Sequence, residues 1–359
     1  MSADAKSPTT DVARPTGSIE AGDPVARRAQ AALRDGHLGD AETTIRSVET
    51  GEGHVRAWRL LLEGELLFAR GDMSRAETKL MQAAVVALTC GTGLQQVESK
   101  HPCGTGFQPV GSCDTGLQPV DLRLAAHALD QAGCVYRRLD QPADAAAMHE
   151  TAYALRERVG SFDELSQTAS NLGLDADVMR QFTVAQRWHR IAVEHAQRCA
   201  STAPVENRCH TDVERLRSIV WGRLADTLSQ AGELDEAIEA ARQAQTYAHA
   251  HAGGTLEAFR TDLRLCRAMA QQAECLVDRL DPRAADVLAD ARARLCDTLE
   301  ELKPFGPEAA GHTRWCIEQL DFVERLSAAT GGQTVPQMPV RECGAHPSEP
   351  QRRQPDAPL

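Results

Sequence analysis

Several groups of residues in this chain are of the types that do chemistry, and their spacing decides whether they could. His149-Glu150 begins like the zinc-protease motif, in which two histidines four apart on one helix face hold the metal and the glutamate serves as base. The second histidine's place is taken by Tyr153, so that face is incomplete. His189 and His195 are six apart, and His249 and His251 alternate ahead of Cys266; neither spacing puts both rings on one side of a helix. Gly91-Thr-Gly93 and Gly104-Thr-Gly106 supply half of a dinucleotide loop, without its third glycine. The sequence holds no Gly-Lys-Ser/Thr phosphate loop and no Gly-x-Ser-x-Gly elbow. Arg260, Arg264 and Arg267 form a basic stripe that reads as a solvated, ion-paired face. No catalytic residue, cofactor or metal set is expected, and the chain reads as one that binds.

The elements that would position a binding surface are written as a repeat. Gly36-x-Leu38-x-x-Ala41, Gly71-x-Met73-x-x-Ala76 and Gly232-x-Leu234-x-x-Ala237 share one pattern, and twelve residues before each alanine stands a small residue: Ala29, Gly64 and Ala225. The first two units are 35 residues apart. A period near this length with small residues at fixed points describes stacked helix pairs. The small residue of the first helix and the alanine of the second are placed where the helices cross, and the glycine ends the first helix.

Along the chain this pattern predicts a disordered leader over 1–23, two helix pairs over 24–88, and three to four further pairs over 121–302. A capping helix over 303–330 and a disordered, proline-rich tail over 331–359 complete the expected order. Residues 89–120 read differently. Cys90-Gly-Thr-Gly-Leu-Gln-Gln-Val97, Cys103-Gly-Thr-Gly-Phe-Gln-Pro-Val110 and Cys113-Asp-Thr-Gly-Leu-Gln-Pro-Val120 are copies of one short unit. Glycine and proline at this density exclude a continuing helix, so the stretch reads as an insertion loop between two pairs. In the fourth pair, Arg180 stands where the turn glycine is expected.

These positions resemble the tetratricopeptide repeat family. Trp221, Leu224, Ala225 and Leu228, followed by Gly232, Leu234 and Ala237, carry the resemblance best, with Gly133 and Tyr136 and with Leu172 and Gly173 as further matches. The resemblance implies an all-α superhelical solenoid of antiparallel helix pairs that binds a protein or peptide in its concave face. The stretched later units look like the long-helix variants of bacterial regulatory proteins. The family's carboxylate clamp is not implied, because the matching inner positions of the first pair hold Ala26, Gln30 and Arg34.

A net charge of −12 argues against nucleic acid as partner, since phosphate binding needs a concentrated basic surface. Eleven cysteines, mostly within helical patterns, read as reduced thiols of a cytoplasmic protein. No stretch approaches the apolar length that a membrane span needs. The inward positions of the first helices are the expected groove: Trp58, Glu65 and Phe68, then His127, Asp130, Arg137 and Arg138, then Gln167, Ser170 and Asp177, then Asp226 and Gln230. The expected role is a non-catalytic scaffold or adaptor. The alternative is a regulatory module that senses a peptide or small molecule and shifts its curvature.

Overall fold

The computed structural model describes residues 24–48, 53–90, 119–202, 210–252 and 256–329. These form thirteen α-helices: α1 (Pro24–Arg34), α2 (Leu38–Ser47), α3 (His54–Ala69), α4 (Met73–Cys90), α5 (Pro119–Arg138), α6 (Pro142–Val159), α7 (Phe162–Val178), α8 (Phe182–Thr202), α9 (His210–Ala231), α10 (Leu234–Ala252), α11 (Leu256–Asp278), α12 (Arg283–Leu302) and α13 (Ala310–Ala329). The leader 1–23, residues 91–118 of the inserted stretch and the tail 331–359 lie outside the described residues. At the edges of the insertion, α4 runs on through Cys90, and Pro119 opens α5. A proline in the first turn is tolerated because its missing N–H would have no partner there.

Six turns share one geometry. A residue with positive φ sits at Gly36, Gly71, Asp140, Arg180, Gly232 and Leu280. In each turn the following residue returns its N–H to the carbonyl five residues back, as in His37 to Ala32, Asp72 to Leu67 and Gln181 to Ala176. This closure satisfies carbonyls that the helix end would otherwise leave open. Gly36 at φ 76° and Arg180 at φ 58° therefore do the same job, and the latter does it against the steric cost of its Cβ.

Small residues mark the helix crossings, but the partner of each glycine lies four residues past the alanine of the pattern. A Cβ added at Gly64 would stand 2.7 Å from Leu80, and one at Gly133 would stand 2.5 Å from the His149 ring. Gly173 meets His189 in the same way. In each case the partner is sixteen residues on, one helical turn beyond Ala76, Ala145 or Ala185, which are themselves buried.

By its contacts the chain divides into two units, Met1–Arg264 and Leu265–Leu359, with the division inside α11. In the first unit each helix packs on the next, from α1 through α10. The first helices of successive pairs also touch, α1 with α3, α3 with α5, α5 with α7 and α7 with α9; the second helices show no such run among the described residues. The first helices therefore form the inner face of this stack. The core is rich in alanine: Leu61, Leu80, Leu124 and Leu129 join Ala57, Ala76, Ala83 and Ala125 in one cluster across α3 to α5, which Ala152 of α6 also joins. A smaller cluster of Ala29, Ala41, Ile45, Leu62 and Leu66 ties α1 and α2 to α3. In the second unit α12 packs on α13, where Cys316 and Val323 are buried. No described helix is long and apolar enough to cross a membrane.

Candidate functional site

The inner face of the first unit is laced by polar contacts from each first helix to the next. Trp58 donates its indole N–H to His54 Nε2 at 2.8 Å, which leaves His54 Nδ1 to donate to Asp121 of α5 at 3.1 Å. His127 on α5 donates back to Glu65 on α3 at 2.8 Å. The guanidinium of Arg138 lies 4.6 Å above the ring of Phe68, a cation–π contact between neighbouring first helices. Phe68 itself is buried in the core cluster.

The same arrangement continues along the stack. Arg137 reaches from α5 to α7, donating to Asp175 Oδ1 at 2.8 Å and to the Asn171 carbonyl at 3.3 Å. From α9, Arg223 donates to Ser170 Oγ at 2.7 Å, and Thr227 donates to Asp177 Oδ2 at 2.7 Å. Asp226 accepts from Arg264 of α11 at 3.1 Å. Gln167 is half-buried on α7, and Gln230 is exposed near the end of α9. The twelve residues read from the sequence thus fall on α3, α5, α7 and α9. Most of them bond to or pack on a neighbouring helix, and Asp130 and Ser170 are almost wholly buried.

Beneath this face, between α5, α6 and α7, lies a charged cluster. Asp130, Asp175, His149 and Arg156 are all buried. His149 donates from Nδ1 to Asp175 Oδ2 at 2.5 Å and from Nε2 to the Asp130 carbonyl at 3.1 Å. Burial opposes its charge, yet the bond to Asp175 and the nearby Cys134 sulfur outweigh it and push its pKa up to about 10. Burial would likewise raise Asp130, but Arg156 at 3.4 Å, His149, His127 and the amide of Asn171 hold its carboxyl below the usual range. Arg156 also donates to Thr168 and to the Glu164 carbonyl.

His189 occupies the corresponding place in the next pair with the opposite result. Its Nε2 donates to Asp177 at 3.1 Å, but its Nδ1 is buried without a partner. Burial dominates and its pKa is lowered. Asp130 and Arg137 are expected groove positions by their sequence spacing, whereas His149, Asp175, Arg156 and Asn171 carry no such expectation. A signal for the histidine was present: sixteen residues after the small residue stand Ile45, Leu80 and Ala241 in three pairs, and His149 and His189 in the other two. A polar residue at a position that is otherwise apolar needs a buried partner.

No family model matches the chain, and no curated relative matches it either. Solved structures of similar fold include the apo form of RapI, with TM-score 0.49, 8% identity, and coverage of 85% of this chain and 97% of that one. Aspartyl phosphate phosphatase F from Bacillus subtilis aligns with TM-score 0.48 and 12% identity over 86% of this chain and 70% of its own. A putative kinesin light chain from Podosopora anserina with nearly identical TPR-like repeats gives 0.45 and 14% over 69% and 99%. The chain's own paired helices, shared turn geometry and small-residue crossings make it a tetratricopeptide-like helical repeat in architecture.

Proposed function

We propose that this protein is a non-catalytic, cytoplasmic interaction module that holds a protein or peptide along the inner face of its first unit. The observation that carries the reading is the continuity of that face: α3, α5, α7 and α9 touch in succession, so one surface runs across four pairs. Along it, the partly buried Trp58, Glu65, His127, Arg137, Asp177 and Asp226 place donors and acceptors at intervals set by the helix spacing. Their bonds to neighbouring helices fix the rotamers, which lowers the entropy cost of binding. An extended chain matches such a row better than a compact ligand does.

The reading is tested by placing a photo-crosslinking residue at Arg138 or Gln230 on the first helices, and at Glu150 or Arg187 on the second. All four positions are exposed. In cells, a discrete crosslinked partner should form from the first pair of sites and not from the second. Crosslinks of equal yield from both faces, or none from the first helices, would remove the groove from consideration.

A further inference from the structure

An indole N–H donates and cannot accept, so the 2.8 Å bond from Trp58 fixes Nε2 of His54 as an acceptor. The two rings stand edge to face, with centroids 6.1 Å apart and planes at 82°. Nδ1 then carries the one ring proton and donates it to Asp121 Oδ1 of α5 at 3.1 Å. These two bonds describe the neutral imidazole as a single tautomer, held between a pure donor on its own helix and a carboxylate on the next first helix. His127 differs, because its partner is Glu65, an acceptor that a further proton on the ring would only bind more tightly.

A proton arriving from solvent can add to this ring only at Nε2, and there it removes the acceptor that holds Trp58. Two N–H groups would then point at each other, so the indole must give way, while the bond to Asp121 becomes charge-assisted and stays. The side chain of His54 is 36% exposed and that of Asp121 is 8% exposed, so protons reach the ring and the carboxylate has little water to turn to. The other charged groups of the packed elements are engaged elsewhere or face solvent. On α5, Arg123 donates to the Val159 carbonyl. On α3, Arg59 pairs with Glu63, which also takes Lys79 of α4, and Arg56 is exposed. On α2, Glu42 pairs with Arg46, and the arginines of α1 are exposed.

We propose that His54 and Trp58 form a proton-operated switch at the start of α3 on the inner face. With His54 neutral, the indole is tied to its own helix; with His54 protonated, it is released and its N–H is offered to whatever lies in the groove. Asp121 keeps its partner in both states, so the link between α3 and α5 survives the change. Histidine is the side chain that changes charge between pH 5 and 8, and that interval is where the switch is to be sought. The use of the released donor by a bound chain rests on the groove reading above; the release itself does not.

The test uses the full chain with no partner, its tryptophan and histidine rings labelled with nitrogen-15 and followed by NMR between the two ends of that interval. Trp58→Phe identifies the Trp58 signal among the four indoles, and His54→Gln identifies the His54 ring by its absence. As His54 gains its proton, the Trp58 indole proton should move upfield, the direction of a lost hydrogen bond, with the same midpoint. In His54→Gln, which keeps an uncharged acceptor, the signal should not move. At the acid end the indole N–H of the unmodified protein should exchange with solvent about tenfold faster than that of His54→Gln. A Trp58 signal that stays fixed while His54 titrates would overturn the proposal, as would a His54 ring that takes no proton across the interval, or a shift that persists in His54→Gln. The titration of the unmodified protein decides the matter even where a variant is altered in fold. Because no partner is present, a failure here leaves the groove reading to its own crosslinking test.

Discussion

His149 and His189 stand at the same place in consecutive repeats, each over a glycine, and they separate because of what lies beyond the ring. His149 finds a carboxylate and a carbonyl, one for each nitrogen, whereas His189 finds one carboxylate and leaves Nδ1 without a partner. The folded-state pKa of His149 is raised to about 10 from its ordinary 6.5. Its contribution to stability is therefore complete below about pH 6.5 and is lost as pH rises through about 10. His189 has a lowered pKa, so it costs nothing above about pH 6.5 and weakens the fold as pH falls below that value. Replacing His149 with leucine, the residue that Leu80 supplies in the second pair, leaves Asp175 short of one partner and should cost about 3–5 kcal/mol. His189→Leu should stay within about 1 kcal/mol, because Thr227 still donates to Asp177. Urea unfolding from pH 5 to 10 checks both. His149→Leu should flatten the alkaline fall in stability, and His189→Leu should ease the acid one. Equal costs for the two substitutions would show that the partners do not decide the effect.

At the scale of elements, the turn and the crossing obey separate rules, and only part of each is legible in sequence. Glycine at 36, 71 and 232 marks three turns, but Asp140, Arg180 and Leu280 adopt the same left-handed conformation and carry no glycine signal. The hydrogen bonds of the helix end and the packing of the next helix impose that conformation. Arg180→Gly and Leu280→Gly should therefore each raise stability by about 1 kcal/mol, while Gly71→Ala should lower it by a similar amount. Thermal melts of the single variants check this; loss of stability in both glycine variants would mean the side chains make contacts that outweigh backbone strain. At the crossings, sequence shows the small residue and the alanine, but the residue that covers the glycine varies from leucine to histidine and escapes the pattern. Gly64→Ala gains about 1 kcal/mol of helix propensity but overpacks against buried Leu80 by about 1–3 kcal/mol, so a net loss is expected. Gly133→Ala should lose more, because hydrogen bonds lock the His149 ring in place. Counting from these small residues marks the candidate groove positions on the first helices, whereas the bonds those residues make across helices depend on which turns of neighbouring pairs come level, and a single-helix pattern does not contain that.

At the scale of the whole molecule, the first unit is a series of neighbours, since each helix packs on the next and the first helices on the next but one. Stability in such a stack is close to a sum of pair and interface contributions, and a local loss spreads only as far as the coupling between adjacent pairs allows. The two clusters make this specific. α1 and α2 depend on five buried residues shared with α3, while α3 to α5, together with Ala152 of α6, share a cluster three times that size. Leu80→Ala removes a fully buried side chain from the larger cluster and should cost about 2–5 kcal/mol. Hydrogen exchange read by mass spectrometry should then show faster exchange throughout α3 to α6, and in α1 and α2, which lean on α3. Exchange in α9 and α10 should hardly change, because α7 and α8 intervene. In the unmodified protein α1 and α2 should already exchange faster than α3 to α6. Uniform acceleration across all ten helices would show instead that the unit opens as one cooperative body, with the polar contacts of the inner face coupling the pairs more tightly than their apolar cores do.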